Sequence, residues 1–324
     1  MPEEISVEDK GWSAYFNLIK NLIENKGLNT ADRNRNMLMQ ICDPGSSSEV
    51  TSVTDLEEII NNTPYNDTDI YVSSTDFDIK ENYIGVLSKL LGKMSSTEQK
   101  DEYSKLDNFI KKFTDDFKIS TIDFEGIKTW SKEDKSLIEE SIIVKRGHLK
   151  QFSAKLDKGE ASFAKGPFKI DANGTGEVNY ESAQDYDAMS IKISTSLKTV
   201  PIKHQGLDWS WLADYGDKLD DHTKKFYFNS DDGALSLIPT SLILAWRPTI
   251  SIVVSRKDGQ KITANLKGSV KGSISVFNME IGGQVSYVDD GENEDTFTFT
   301  LTPPTPEHSH PVLFAVISDK KNFL

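Results

Sequence analysis

The chain has 324 residues, of which 37% are apolar and 27% are charged, and its formal net charge is −14. This length argues for about two domains with a sizeable core, and the composition is that of a soluble globular protein. Both halves of the chain are acidic and neither contains a basic block, so nucleic acid, whose binding depends on clustered Lys and Arg, is not an expected partner.

The N-terminus and the cysteine count predict a protein that is made soluble in the cytoplasm. The opening residues MPEEISVEDK lack the positive and apolar regions of a secretory signal, so any release would follow a non-Sec route. Cys42 is the single cysteine and cannot form a disulfide within the chain. We interpret it as a buried structural thiol. The most apolar run, 234–246, is too short to cross a bilayer as a helix and contains Pro239.

Helical periodicity dominates the first half of the chain. Apolar residues recur there at three- and four-residue spacing, as in amphipathic helices. Two starts resemble a capping box, at Thr54 and at Ser131. The predicted helices cover residues 8–27, 30–41, 54–62, 78–94, 96–118 and 131–152.

From about Phe163 onward, strict alternation replaces the helical pattern and predicts strands, with one helical interlude at 206–225. The clearest strands are 189–200, 296–302 and 312–318, and a hairpin over 249–268 is expected to turn near Asp258–Gly259. This order predicts an α+β protein, with an N-terminal helical module followed by a C-terminal antiparallel β-sandwich or elongated β-sheet. We assign residues 1–155 to the helical domain and 156–324 to the β-rich domain.

The segment Lys261–Val288 is the longest alternating stretch. It reads as two strands joined by a tight turn near Phe277–Asn278, or as one strand with a bulge there. Its first arm has about 15 residues, whereas an ordinary strand has about 5–6. The residues that we assign to the contact face, most of them apolar positions of this segment, are Ile262, Leu266, Val270, Ile274, Val276, Met279, Ile281, Val285, Tyr287, Trp209 and Trp211.

Two interpretations of this segment remain open. A membrane-spanning β-strand needs about 9–11 residues, apolar outside and polar inside, and β-pore-forming toxins carry hairpins of this composition. A long hairpin in a soluble sandwich alternates in the same way, because one face of an antiparallel sheet is commonly wet. Trp209 and Trp211 are equally ambiguous, since they suit either a membrane interface or a seam between helices and sheet.

Candidate metal sites are weak. Five acids between two strands, Asp289, Asp290, Glu292, Glu294 and Asp295, suit a calcium site and also suit a solvated loop. The stretch Asp171–Ser182 resembles a calcium loop but lacks its final Glu and its flanking helices, so we interpret it as a β-turn. His308 and His310 are two residues apart between prolines, and we interpret them as solvated histidines.

We find no sequence motif for a catalytic nucleophile, a phosphate loop or a dinucleotide site, and we expect no cofactor. The sequence therefore predicts a non-enzymatic binding or membrane-active protein, whose partner is membrane lipid, another protein or further copies of the same chain in a homo-oligomer. The alternative is a structural or self-assembling protein whose β-rich domain contacts neighbouring subunits. A hydrolase with an unrecognised site is a third hypothesis.

Overall fold

The computed structural model describes residues 18–26, 37–42, 50–64, 70–71, 73–115, 120–131, 137–145, 168–171, 188–229, 233–255, 273–276, 284–288, 296–302 and 310–321. Within them the fold is mixed α+β, with a large and mostly antiparallel sheet and a group of helices. The α+β class predicted from the sequence is thus confirmed.

The helices are α1 (18–25), α2 (Thr54–Asn61), α3 (Ile79–Lys93), α4 (Lys100–Asp115), α5 (Phe124–Trp130), α6 (Ser210–Tyr215) and α7 (Asp221–Phe228), with a 3-10 turn at Gly216–Lys218. The strands are β1 (Met37–Cys42), β2 (Asn62–Pro64), β3 (Ile70–Tyr71), β4 (Ser73–Asp78), β5 (Ser120–Ile122), β6 (Ile138–Lys145), β7 (Phe168–Asp171), β8 (Ala188–His204), β9 (Leu237–Ser255), β10 (Ser273–Val276), β11 (Gln284–Val288), β12 (Thr296–Thr302) and β13 (Pro311–Lys320).

Two predicted helices are wrong where the structure describes them. Residues 37–41, predicted as the end of a helix, lie in β1, which pairs with β13 on one edge and with β3 on the other. Residues 138–145, predicted as helical, form β6 and pair along their whole length with β8. The β-branched residues of β6 favour a strand once a partner strand is present, and such pairing overrides a local periodicity.

The main sheet is organised around β9, because this strand is paired along both edges. One edge pairs first with β13 over 237–246 and then with β12 over 250–255, while the other edge pairs with β8 over 241–253. β5 and β6 both pair with the far edge of β8, and β11 pairs with β12. β8 has 17 residues and β9 has 19, about three times the length of an ordinary strand.

Strands from both sides of residue 155 contribute to this sheet. β1, β3, β5 and β6 precede that residue, and each pairs directly or through one neighbour with a strand of the second half. Residue 155 itself lies outside the described residues, so the division into two domains stays a prediction.

A bulge at Arg247 divides β9 into two parts. The β8–β9 register shifts by one residue between Ser194 and Ser196, where β9 holds the extra residue. Arg247 takes up the distortion with a left-handed φ of +46°. Across the bulge, Thr195 Oγ1 donates to the carbonyl oxygen of Trp246 at 3.0 Å. We call the part of the sheet in which β9 pairs with β13 the proximal half-sheet. We call the part formed by β6, residues 188–195 of β8, residues 249–255 of β9, β12 and β11 the distal half-sheet.

The proximal half-sheet is covered on one face by α2 and α5. The rings of Trp130 in α5 and Trp246 in β9 meet at a centroid distance of 6.3 Å in an edge-on contact. Lys198 adds its ammonium group 5.7 Å from the Trp130 ring. The buried residues of this layer include Cys42, Leu56, Ile60, Ile127, Val200, Ile202, Leu242, Leu244, Leu313 and Val316.

A separate helical layer, made by α3, α4, α6 and α7, packs against the start of β9. Tyr83 of α3 is fully buried at its centre, and its ring makes edge-on contacts with Phe113 at 5.2 Å and with Trp209 at 5.1 Å. The Tyr83 hydroxyl donates to the carbonyl oxygen of Asp208 at 2.6 Å. Leu235 and Ile238 join the same core, so the helical layer is fixed to the proximal end of the sheet.

Candidate functional site

The distal half-sheet aligns residues of like polarity across its strands. Residues two apart in a strand lie on the same face of the sheet. Two rows of Cα partners that are separated by two residues along every strand therefore belong to one face. Ile193, in one of these rows, is fully buried. The rows are Ile142–Ile191–Ile252–Phe299–Tyr287 and Glu140–Ile193–Ile250–Leu301–Val285, and they contain a single charged residue.

The opposite face of the distal half-sheet is polar and partly exposed. Its central row of Cα partners is Ser141–Lys192–Ser251–Thr300–Ser286. Lys192 Nζ lies 2.6 Å from Glu139 Oε2, and Ser251 Oγ lies 3.3 Å from Thr300 Oγ1. The ion pair is exposed to solvent and contributes at most about 1 kcal/mol to folding.

Two long chain segments begin and end at the outer end of the distal half-sheet, and the first of them contains β10 and β11. Ser255 ends β9 and is the Cα partner of Thr296, which begins β12, so the 40 residues between them start and finish at adjacent points. Lys145 ends β6 and is the Cα partner of Ala188, which begins β8, and 42 residues lie between these two.

The predicted contact segment 261–288 supplies two described strands, and these pair with different partners. β10, which contains Ile274 and Val276, pairs with β7, whereas β11, which contains Val285 and Tyr287, pairs with β12. The predicted pairing of the two arms with each other is therefore not what the described residues form. Ile262, Leu266, Val270, Met279 and Ile281 lie outside the described residues.

The hairpin predicted over 249–268 is also wrong in its pairing. Residues 250–253 of β9 have β8 on one edge and β12 on the other, so a strand following Gly259 has no free edge there. Pairing with strands distant in the chain replaces the local hairpin that the Asp-Gly turn signal suggested.

The two predicted contact tryptophans lie in the helical layer. Trp209 is half-buried against Tyr83, and Lys321 Nζ stands 5.5 Å from the centre of its ring. Trp211 is half-buried and stacks on Tyr215 at 6.1 Å. Both therefore pack within the helical layer, and contact with a target stays a prediction for them.

The candidate metal ligands find no support within the described part of the chain. Asp289, Asp290, Glu292, Glu294 and Asp295 lie outside it, as do His308 and most of Asp171–Ser182. Among the residues that are described, no three His, Cys, Asp or Glu side chains are grouped as a metal ion requires. Cys42 lies in β1 and is 3% exposed, as predicted for a structural thiol.

Sequence reasoning missed a hydrogen-bonded junction at the proximal end of β8. His204 Nε2 lies 2.5 Å from the carbonyl oxygen of Pro239, and its Nδ1 lies 2.9 Å from Ser120 Oγ. Because a carbonyl oxygen only accepts, Nε2 carries the proton, and Nδ1 accepts from the Ser120 hydroxyl. The junction ties β5, β8 and β9 together, and 84 residues separate Ser120 from His204, so no local pattern could reveal it.

The surroundings of His204 keep its ring neutral. Burial lowers the pKa of His204, and the positive charge of Lys321 lowers it further, whereas the Pro239 carbonyl and Asp319 act in the opposite direction. A serine bonded to a histidine can form a nucleophile, but Ser120 is 6% exposed inside a strand pair. This geometry favours a structural junction.

Among the described residues, no helix is both long enough and apolar enough to cross a membrane. Comparisons with protein-family models, with curated proteins and with solved structures found no match to this chain.

Proposed function

We propose that this chain is a non-enzymatic, membrane-active binding protein that contacts a lipid bilayer through segments carried by the distal half-sheet. The observation that carries the proposal is the pairing of Ser255 with Thr296, which holds both ends of residues 256–295 side by side. A segment held in this way can extend into a hairpin that continues β9 and β12 once β11, which belongs to the segment, leaves the edge of β12.

The length and pattern of this segment suit a bilayer. Each strand of a membrane hairpin needs about 9–11 residues, and 40 residues exceed what two such strands and a turn require. Ile262, Leu266, Val270 and Ile274 alternate with Thr, Lys and Ser in the sequence, as lipid-facing and water-facing positions must. An isolated hairpin leaves backbone groups unpaired in lipid, so insertion requires several copies that close their edges against one another.

The arrangement of a helical layer at one end of a long sheet supports this proposal. In our proposal the helical layer of α3, α4, α6 and α7 forms a rigid body, and the elongated β-sheet reaches from it to the target. The burial of Tyr83 and the fixation of the helical layer to the start of β9 support a body that stays folded while the distal end changes.

Dye release from liposomes tests the proposal. Zwitterionic phosphatidylcholine vesicles are the first choice, because a net charge of −14 opposes binding to anionic lipid. We expect release that depends on protein concentration, and a fluorophore on Ser273→Cys should report a less aqueous or a pore-lining environment when vesicles are added. Absence of both leakage and vesicle binding across several lipid compositions would contradict the proposal.

Matched substitutions in β10 sharpen this test. Ile274→Lys puts a charge at an alternating apolar position, where exposure of a Lys to lipid at the bilayer midplane costs about 2–4 kcal/mol, and should reduce leakage at least tenfold. Ser275→Lys changes the neighbouring position of opposite phase and should retain most of the activity. Circular dichroism of both variants checks that the body remains folded.

Self-assembly without lipid is the second candidate function. It is favoured by the positions of β6 and β11, which are the outermost strands of the distal half-sheet among the described residues. Strands at the edge of a sheet are templates for pairing with another chain. Sedimentation velocity in the absence of lipid should then show a large species, and a monomer at high concentration would rule this candidate out.

A further inference from the structure

Arg247, the residue that takes up the bulge in β9, has a guanidinium group without a partner in the described part of the chain. Its Nε atom is shielded from solvent, and neither a hydrogen bond nor an ion pair of this side chain is found among the described residues. A guanidinium is always charged in a protein, so burying part of it without an acceptor is costly. The usual partner of such an atom is an acceptor that does not belong to the chain, either a water molecule or an ion.

The backbone of Arg247 gives a second, independent indication of a binding site. Its φ of +46° is left-handed, and among the described residues it is the only positive φ outside glycine. Glycine adopts this backbone without strain, whereas a residue with a Cβ atom does not. Strained backbone of this kind is concentrated at ligand-binding sites, where the placement of one side chain outweighs the cost.

The strand β9 changes its partner beside Arg247. β13 pairs with β9 as far as Trp246, and β12 takes over at Ile250, so residues 247–249 have no Cα partner in either strand. On the other edge, the bulge leaves Arg247 and Pro248 without a Cα partner in β8. Arg247 is half-buried at this interruption of the sheet, so part of the residue remains within reach of a dissolved ion.

His310 lies at the same interruption. Pro311 is the Cα partner of Trp246, and the two strands are antiparallel. His310 precedes Pro311 and Arg247 follows Trp246, so both residues leave the last β9–β13 pair on the same side. His310 is half-buried, and its imidazole supplies an N–H donor. A guanidinium and an imidazole placed together are suited to an oxyanion.

We infer that Arg247 binds a small oxyanion, either a phosphate or a carboxylate group, and that His310 lies beside the bound ion. A guanidinium recognises both groups through two parallel N–H···O bonds. The net charge of −14 opposes association with a polyanion and leaves a small anion as the ligand. The inference is independent of the proposed function, because the site lies between the two half-sheets and not in residues 256–295.

Urea denaturation in sodium phosphate, sodium acetate and sodium chloride of equal ionic strength tests the inference. A ligand that binds only the folded protein raises the unfolding midpoint, and the larger rise, in phosphate or in acetate, identifies the class of ligand. Arg247→Gly accepts the left-handed backbone and lacks the guanidinium, so it should fold but show less than about half of the wild-type rise.

Two further variants control for charge and for general salt effects. Arg247→Lys keeps the charge without the planar fork and should weaken binding about threefold or more. Lys203→Gln removes an exposed positive charge from β8 and should respond as the wild type does. Since phosphate stabilises many proteins by exclusion from their surface, only the difference between variants counts. Equal rises in the wild type and Arg247→Gly, or no rise in either salt, would overturn the inference.

Proton NMR of the histidine rings at fixed pH locates the bound ion. The signals of His310 should move and saturate as phosphate or acetate is added, whereas those of His222, which is exposed in α7, should not move. The movement at His310 should be lost in Arg247→Gly. Equal movement of both histidines would overturn the inference. A silent His310 together with a midpoint rise that depends on Arg247 would overturn the placement of His310 alone.

Discussion

Gly85 of α3 and Tyr227 of α7 are packed so closely that a Cβ atom added to Gly85 would lie 2.6 Å from the Tyr227 hydroxyl oxygen. Tyr227 is 5% exposed, so its ring has little room to retreat. Gly85→Ala should therefore lower the free energy of unfolding by about 1–2 kcal/mol, because overpacking outweighs the gain of about 1 kcal/mol that Ala brings to a helix. Urea denaturation measures the change.

Gly92 provides the matched control in the same helix. A Cβ atom at Gly92 would meet no atom within 4 Å, so Gly92→Ala should raise the free energy of unfolding by about 0.5–1 kcal/mol. Adding Tyr227→Phe to Gly85→Ala removes the clashing oxygen and should recover most of the loss. Equal effects of the two glycine substitutions would contradict the close contact.

Stability should fall in mild acid because of His204. Its folded pKa is lowered from an unfolded value of about 6.5, so below that pH the unfolded chain binds a proton that the folded chain resists. The free energy of unfolding should decrease from pH 6.5 downward until the folded pKa is reached, at about 1.4 kcal/mol for each unit between the two values. Denaturation at pH 7.5 and pH 5.0 measures the difference.

Two substitutions isolate the contribution of His204 to this acid sensitivity. His204→Gln keeps a donor for the Pro239 carbonyl but cannot titrate. The decrease in the free energy of unfolding between pH 7.5 and pH 5.0 should therefore be smaller than in the wild type. His222→Gln changes an exposed histidine of α7 and should leave the loss as it is in the wild type. If His204→Gln also leaves the loss unchanged, the junction is not its source.

The bulge at Arg247 predicts an unusual preference for glycine in a strand. A residue with a Cβ atom pays about 1–2 kcal/mol for left-handed backbone, and glycine avoids this cost. Arg247→Gly should therefore be more stable than Arg247→Ala by about 1 kcal/mol, the reverse of the usual order in strands. Chemical denaturation of the two variants compares them directly, and an Ala variant of equal or greater stability would refute the expectation.

The Tyr83 hydroxyl should be both stabilising and resistant to ionisation. Tyr83→Phe leaves the Asp208 carbonyl oxygen without this donor and should lower the free energy of unfolding by about 1 kcal/mol. Burial raises the pKa of Tyr83 above its ordinary range, so its phenol should stay neutral in the folded protein at pH 11. The phenolate absorbance of folded wild type and Tyr83→Phe should then be the same, and a larger signal from wild type would show that the ring is accessible.

Helices and strands whose own residues show a clear cap or a clear periodicity could be predicted from the sequence. The structure confirms the helix predicted at 78–94, seen at Ile79–Lys93, where Asp78 Oδ1 accepts from the backbone N–H of Glu81 at 2.8 Å. It also confirms the strand predicted at 296–302, whose threonines alternate with apolar residues without a break. In both cases local preference and tertiary contacts agree.

The errors arise where a distant partner decides the structure. Residues 138–145 carry an apolar pattern that fits a helix, and the 17-residue strand β8 supplies the edge that makes them β6. The junction at His204 depends on a strand that begins at Ser120 and on a carbonyl from Pro239. Such long-range contacts are set by the topology of the sheet. The spacing of residues within one segment does not encode that topology.

The extra residue at the bulge in β9 decides which face of the distal half-sheet carries the apolar side chains. Leu242, Leu244 and Trp246 pack toward α2 and α5, whereas beyond the bulge Ile250 and Ile252 are partners of Ile193 and Ile191. Insertion of one further residue between 246 and 249 would set Ile250 opposite Lys192 and mix the two faces over the rest of the strand. A one-residue insertion is therefore excluded here for a reason that has little to do with the identity of the amino acid.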